Sequence, residues 1–307
     1  MQELAGLLEV APRVAAALAR GGAVVALETT IVTHGMPYPQ NVETALEVEA
    51  LVRAGGAEPA TIAIVDGRIR VGLEPDAIRA LAGMHGVRKV SRADLPFTIA
   101  SGAPGATTVA ATMICAELAG IGVFATGGIG GVHRGAETTL DISADLDELG
   151  RTPVAVVCAG AKALLDLPKT LEVLETRGVP VICYRSDVFP AFWSRLSGLR
   201  APIRLDSAVE IAGAIRTQRV LGYSSGTLIA NPVDAADEIP ADVIGAHIET
   251  AVADAVAAHI SGKEVTPFLL DRLLALTGGA SLTTNIALIR SNARLAATIA
   301  VELAASH

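Results

Sequence analysis

Thr152-Pro153-Val154-Ala155-Val156-Val157-Cys158-Ala159-Gly160-Ala161-Lys162 is the stretch that decides the fold. A short β-branched apolar run bounded by Pro and Gly reads as a strand covered on both faces, as in an α/β sheet. Ligands of open α/β sheets gather at the carboxyl ends of such strands, and this strand carries one cation, Lys162, to that end. An ammonium group among small apolar neighbours loses hydration, which favours the neutral, nucleophilic amine. A surface lysine opening the next helix is the plainer account of position alone, so the surrounding sequence has to discriminate.

Outward from this run the pattern repeats. Ala23-Val24-Val25-Ala26-Leu27 predicts a second buried strand, ending in Glu28-Thr29-Thr30. Further strands are expected at Phe97 to Ala100, Gly122 to Thr126, Val179 to Tyr184 and Leu228 to Ala230. Thr61 to Val65 and Arg68 to Gly72, joined by Asp66-Gly67, predict a hairpin and hence an antiparallel pair. Helical spacing covers Glu3 to Arg20, Val42 to Ala54 with Asn41 as its N-cap, and Pro75 to Met84. It returns at Thr107 to Ala119, Leu164 to Arg177, Ser207 to Arg219, Ala241 to Ile260, Pro267 to Leu276 and Ser281 to Ala305. No internal repeat, low-complexity tract or linker interrupts the series. The expectation is one domain over residues 1–307, a three-layer α/β/α fold with a mixed central sheet.

Composition narrows the function. Of 307 residues 51% are hydrophobic but only 3% aromatic, so small aliphatic side chains must fill the core. A net charge of −8 without a Lys/Arg cluster argues against nucleic acid as a partner. No apolar run reaches the roughly 18–20 residues that span a bilayer, so no membrane association is expected. Met1-Gln2-Glu3-Leu4 lacks the basic start of a secretory signal. Cys115, Cys158 and Cys183 lie in apolar segments with no CxxC pair, which suits reduced thiols in a cytoplasmic protein. High mean hydropathy, +0.49, makes burial of helix faces in an oligomer plausible.

Several residues have the chemistry of a site. Glu28 ends a strand as Lys162 does, and a carboxyl stripped of hydration suits proton transfer, although it also suits a turn cap or an Arg partner. Thr126 to Gly135 is a Gly-rich loop with His133 and Arg134; it lacks Walker A spacing, and a structural turn is as good a reading as an anion loop. Asp141, Ser143 and Asp145 share one face if the segment is extended, a hard-oxygen set suited to Mg²⁺ or Mn²⁺, or else an acidic helix start. Lys89 lies in the most basic patch, fit for a phosphate monoester or for solvent. Asn285 and Asn292 lie seven apart on one helix face. His34 follows a strand end; no His or Cys pair has zinc-ligand spacing. On these residues alone three readings stay open. One is a C-glycosidase, and one is a Schiff-base lyase or aldolase acting on another sugar phosphate. The last is a sugar-phosphate or nucleotide sensor, which would not need Glu28.

Longer segments speak more specifically. Ala26 to Asn41 (Ala-Leu-Glu-Thr-Thr-Ile-Val-Thr-His-Gly-Met-Pro-Tyr-Pro-Gln-Asn), Lys89 to Pro96, Thr126 to Gly135, Asp141 to Leu146, Val157 to Lys162 and Ser281 to Leu288 closely resemble, in order, the signatures of pseudouridine-5′-phosphate glycosidases. The resemblance runs from about Glu3 to about Ala305. It implies an enzyme that reversibly cleaves the C1′–C5 bond of pseudouridine 5′-phosphate to uracil and ribose 5-phosphate, a lyase in the joining direction. It implies Lys162 as the covalent nucleophile and Glu28 as proton donor. It implies Lys89, Val109, Ser143, Ala144, Asp145, His133 and Asn285 as substrate contacts. Asp141 would hold Mn²⁺ or another divalent cation, largely through water, and the protein would be a homotrimer. No segment resembles a carbohydrate kinase, so a separate protein is expected to phosphorylate the nucleoside. Thr29 stands where Ser is common, Arg290 where Lys is common, and Asn231-Pro232-Val233-Asp234 lacks a frequent second Pro; none bears on the chemistry.

Overall fold

The computed structural model describes residues 6–260 and 265–305. Its strands are β1 (Leu8–Val10), β2 (Val24–Leu27), β3 (Glu58–Val65), β4 (Arg68–Val71), β5 (Arg88–Val90), β6 (Gly105–Thr107), β7 (Val123–Ala125), β8 (Ala155–Cys158), β9 (Val181–Tyr184), β10 (Ile203–Leu205) and β11 (Thr227–Ala230). The helices are α1 (Pro12–Ala19), α2 (Thr30–Thr33), α3 (Gln40–Ala54), α4 (Pro75–Gly83), α5 (Leu95–Ser101), α6 (Val109–Leu118) and α7 (Ala136–Thr139). They continue with α8 (Ala144–Leu149), α9 (Leu167–Thr176), α10 (Ala208–Val220), α11 (Ala241–Ala257), α12 (Val265–Leu276) and α13 (Ala280–Ala304).

Strands β3, β2, β7, β8, β11, β9 and β10 lie side by side and run parallel. Beyond them β4 and β6 both pair antiparallel with the outer half of β3, while β1 and β5 run parallel to β4 and β6. The sheet is therefore mixed, as the Asp66-Gly67 turn requires. Both turn residues have positive φ, 52° and 71°, the twist that joins two antiparallel strands in two residues.

Every residue of β2, β7, β8 and β11 is buried, because helices cover both faces. Helix α13 crosses β2, β7 and β8 with α3 and α10 against its flanks, and α6 packs on β2, β3 and β7 with α8 beside it. Small residues permit the close approach that scarce aromatics demand. A Cβ on Gly55, just beyond α3, would come within 2.6 Å of Ala297 on α13. Among the described residues no single helix is long and apolar enough to cross a membrane.

Local expectations failed in four places. The Glu3 to Arg20 helix is helical over Pro12–Ala19, while Leu8–Val10 pairs with β4 as an edge strand; Glu3 to Ala5 lie outside the described residues. Pro12, with no N–H to give, opens the helix rather than continuing one. Phe97 to Ala100 is not a strand but part of α5, where Pro96 sits in the first turn and Phe97, 72% exposed, faces outward. Four apolar residues cannot separate the two periods. Asn41 does not cap α3, whose cap position is Pro39; its Nδ2 instead donates to the Val32 carbonyl at 2.7 Å. Asp141, Ser143 and Asp145 are not one extended run. Ile142 bridges Val132, and the helix has begun by Ala144. Strands β5, β6 and β10 were not foreseen, being three residues each and partly polar.

Candidate active site

Because the seven strands run parallel, their carboxyl ends face one way, and β2, β7 and β8 are neighbours. Glu28 follows β2, Thr126 follows β7, and Lys162 follows β8 after a turn at Gly160. Gly160 has φ 88°, and a Cβ there would lie 2.8 Å from the Pro190 carbonyl, so only glycine fits. Main-chain bonds then carry Lys162 forward: its N–H donates to Ile129 O at 3.2 Å, and Ile129 N donates to Gly160 O at 3.1 Å. Both carboxylate oxygens of Glu28 accept hydroxyl hydrogen bonds, Oε2 from Thr30 and Oε1 from Thr126. Thr126 is itself pinned, its carbonyl accepting from Asn292 Nδ2 at 2.8 Å. Asn231 Nδ2 in turn donates to Asn292 Oδ1 at 3.0 Å.

Two adjoining cavities open on these strand ends, sharing Glu28, Thr30, Lys89, Lys162 and Thr266 as walls. One, of about 570 Å³, is lined further by Ile31, His34, Gly127, Gly128, Phe192, Pro267, Leu270 and Asn285. It is a slot with apolar sides and one amide, whose buried Oδ1 has no hydrogen-bond partner among the described residues. The other, of about 990 Å³, is richer in polar side chains and takes Ser91, Thr108, Val109, His133, Asp141, Ser143, Ala144 and Asp145. Lys162 and Glu28 stand where the two meet.

The Gly-rich loop works by close packing. A Cβ at Gly128 would strike the Phe192 ring at 2.6 Å, one at Gly130 would meet Ser143 Oγ at 2.2 Å, and one at Gly131 would meet Thr170 Oγ1 at 2.5 Å. Asp145, 7% exposed, holds this loop to α6: Oδ1 accepts from Ala110 N at 2.9 Å and Oδ2 from Gly130 N at 2.8 Å. Ser143 caps α8 by accepting from Asp145 N at 3.3 Å. Val109, 3% exposed, lines the same cavity in the first turn of α6, where main-chain N–H groups lack an intrahelical acceptor.

Burial pushes the His133 imidazole below its ordinary value; Asp141, with Oδ2 3.9 Å from Nδ1, opposes that shift, while Lys162 and Lys89 add to it. Burial, then Lys89, also push His34 down against a hydrogen bond with the Val87 main chain, and its Nδ1 sits 2.5 Å from Thr33 Oγ1. His34 thus has ring nitrogens engaged by the protein. Among the described residues no group of three or more His, Cys, Asp or Glu side chains could hold a metal ion. Asp141 fits a divalent cation only in a water-rich manner: one hard carboxylate, 39% exposed, beside an open polar cavity.

All ten residues singled out from the sequence, Glu28, Lys89, Val109, His133, Asp141, Ser143, Ala144, Asp145, Lys162 and Asn285, line one cavity or the other. Asn292, paired with Asn285 on sequence spacing, does not; it is wholly buried and structural. Thr30, Thr126, Phe192 and Thr266 were missed. Thr30 and Thr126 had a usable signal, hydroxyls at the ends of buried strands. Phe192 had none, since it reaches the slot from a non-repetitive segment at φ 62°.

Residues 13–302 match the family described as indigoidine synthase A like protein. A protein of Methylobacterium nodulans named pseudouridine-5′-phosphate glycosidase is 67% identical over 297 residues, 97% of this chain and 88% of its own. A Geobacillus kaustophilus protein of the same name is 60% identical over 290 residues, covering 94% of this chain and 96% of its own. Among solved structures, the prealnumycin C-glycosynthase AlnA in complex with ribulose 5-phosphate superposes with TM-score 0.90 at 40% identity, over 97% of each chain. An indigoidine synthase A-like protein from Thermotoga maritima superposes with TM-score 0.89 at 34% identity, again over 97% of each.

Proposed function

The chain belongs to the indigoidine synthase A-like family of enzymes, and on that premise we propose that it cleaves, reversibly, the C1′–C5 bond of pseudouridine 5′-phosphate through a covalent adduct on Lys162. The observation that carries this reading is the placing of one amine and one carboxyl at the junction of an apolar, amide-bearing slot and a polar cavity. The slot suits a pyrimidine, flat and apolar on its faces, with a carbonyl or N–H for Asn285. The polar cavity suits ribose 5-phosphate, with Lys89, the hydroxyls of Ser91 and Ser143, and the Val109 N–H at the positive end of α6.

A C-glycoside gives no oxygen or nitrogen leaving atom to protonate, so the two-carboxylate device of ordinary glycosidases has no purchase. Loss of the uracil N1 proton instead drives electrons through C6 and C5 to break C1′–O4′, and O4′ takes up a proton. The neutral Lys162 amine adds to C1′. Glu28 then delivers a proton to C5, the C1′–C5 pair returns through the ring to N1, which regains a proton, and an iminium remains on Lys162. Water adds to it, restoring the amine and releasing ribose 5-phosphate. Thr30 and Thr126 suit Glu28 to this cycle, since a hydroxyl turns from donor to acceptor and holds the carboxyl in either protonation state. A divalent cation, Mn²⁺ in this reading, would be held by Asp141 and water and would supply charge that orients the phosphate and sugar hydroxyls. The three free buried cysteines suit a reducing, cytoplasmic setting, and a homotrimer is the assembly proposed, tested by its mass in sedimentation.

The deciding experiment is intact mass after incubation with ribose 5-phosphate and borohydride, alongside uracil release from pseudouridine 5′-phosphate. An adduct and uracil release, both abolished by Lys162→Ala, are expected. Adduct without uracil release would transfer the chain to the sugar-phosphate lyases, and neither would leave a binding protein.

A further inference from the structure

Glu148 is 0% exposed, and nothing in the reaction uses it. Its carboxylate takes Arg92 Nε on Oε2 at 2.5 Å and Arg92 Nη2 on Oε1 at 2.8 Å, and Oε1 also accepts the Thr152 hydroxyl. Taking the Glu148 carboxylate out of water is costly even when it is paired, and its partner Arg92 is only half-buried, at 46% exposure. An ion pair kept at this cost calls for a geometric reason.

Its position supplies one. Arg92 directly follows Ser91, which lines the polar cavity two residues beyond Lys89 of β5. The turn at Ser91 is locked by a capping box, Ser91 N donating to Asp94 Oδ2 at 2.9 Å. Glu148 lies one helical turn beyond Asp145 on α8, whose start, Ser143 to Asp145, forms another wall of the same cavity. The bidentate pair therefore joins the Lys89–Ser91 wall to the Ser143–Asp145 wall across 56 residues of sequence. Its planar fork fixes both distance and angle.

We propose that Arg92 and Glu148 are positioning residues that set the width of the polar cavity and so its preference for a 5′-phosphorylated sugar. This rests on the placing of the phosphate in that cavity under the proposed function. Neither side chain touches the substrate; they act through Lys89, Ser91 and Ser143.

The test compares wild type, Glu148→Gln, Arg92→Lys and the double variant Arg92→Met/Glu148→Met. For each, kcat and KM are measured with pseudouridine 5′-phosphate, and the affinities for ribose 5-phosphate and ribose by calorimetry. A misplacement of about 1 Å can cost up to ~10²-fold, so a roughly tenfold rise in KM and an equal loss of the ribose 5-phosphate over ribose preference are expected. The value of kcat should stay within about twofold, because Lys162 and Glu28 are held by other elements. The double variant, carrying Thr152→Val as well so that no buried hydroxyl loses its acceptor, should stay folded yet lose the preference, which separates positioning from folding. An unchanged preference in a folded double variant, or kcat falling in step with stability while the preference persists, overturns the proposal. A wild type that releases no uracil and shows no preference for the phosphorylated sugar removes its premise as well.

Discussion

The two walls of the site are built on different principles. The wall bearing Glu28, Thr126 and Lys162 is the end of the parallel sheet. Its side chains leave from strands laddered on both sides and buried at every residue. The wall of Ser91 and Ser143 to Asp145 belongs to short elements, a three-residue strand, a 3-10 turn and a six-residue helix, whose few main-chain bonds are supplemented by side-chain bonds from Asp94, Glu148 and Asp145. Under the proposed function, the groups that make and break bonds sit on the ends of the long parallel ladder, and the groups that would recognise the sugar phosphate sit on short elements braced by side-chain bonds. Substitutions at the first wall should strike turnover and those at the second should strike affinity.

The largest break is Glu28→Gln, which keeps size but removes the proton; general acid catalysis is worth ~10²–10⁴-fold, so kcat should fall by that factor with KM little changed. A loss under tenfold in steady-state assays would mean another group protonates C5. Thr126→Val comes next. It removes a hydroxyl that bonds a carboxylate, a contact worth about 1.5–3 kcal/mol, and kcat should drop roughly 10–100-fold without a change in fold. Equal losses in kcat and in melting temperature would make Thr126 merely structural.

On the other wall, Asp145→Ala leaves the N–H groups of Ala110 and Gly130 without their acceptor. At about 1–3 kcal/mol for a buried unsatisfied group, denaturant titration should show that loss, with KM rising more than kcat falls. A larger fall in kcat than in affinity would erase the contrast between the walls.

In the apolar slot lies His34, whose imidazole burial and Lys89 push below its ordinary 6.5. The unfolded chain then binds a proton before the folded chain does. Stability present above about pH 6.5 is lost as pH falls from there through the lower folded value. His34→Gln should flatten that slope in melting curves taken across acidic pH, and an unchanged slope would assign it elsewhere. The smallest effect concerns the thiols. Burial pushes Cys115, Cys158 and Cys183 up to about 12, so a thiol reagent at pH 8 should find none in the native chain and all three after unfolding.

Much of this could be read before any coordinates. The buried strands with Glu28 and Lys162 at their ends were legible because apolar runs and strand-end polarity are local patterns. The Asp66-Gly67 turn was legible because two adjacent residues determine it. Phe97 to Ala100 misled because four residues carry no period, and Leu8–Val10 because a strand that short is recruited by its partner β4. Asp145 was singled out as a site residue and does line the cavity, yet its carboxylate is taken up by the Ala110 and Gly130 main chain, a use no spacing announces.

The sequence by itself determined the layered mixed-sheet class, the order of most elements and the residues available for chemistry, since helix and strand periods act over a few residues. Tertiary structure alone decided what holds those residues in place. The Thr126 bond to Glu28 joins positions 98 apart, Arg92 to Glu148 56 apart, and Asn292 to Thr126 166 apart. A hydrogen bond across such separations forms only when the sheet has already brought its partners within about 3 Å, and the chain carries no local mark of it.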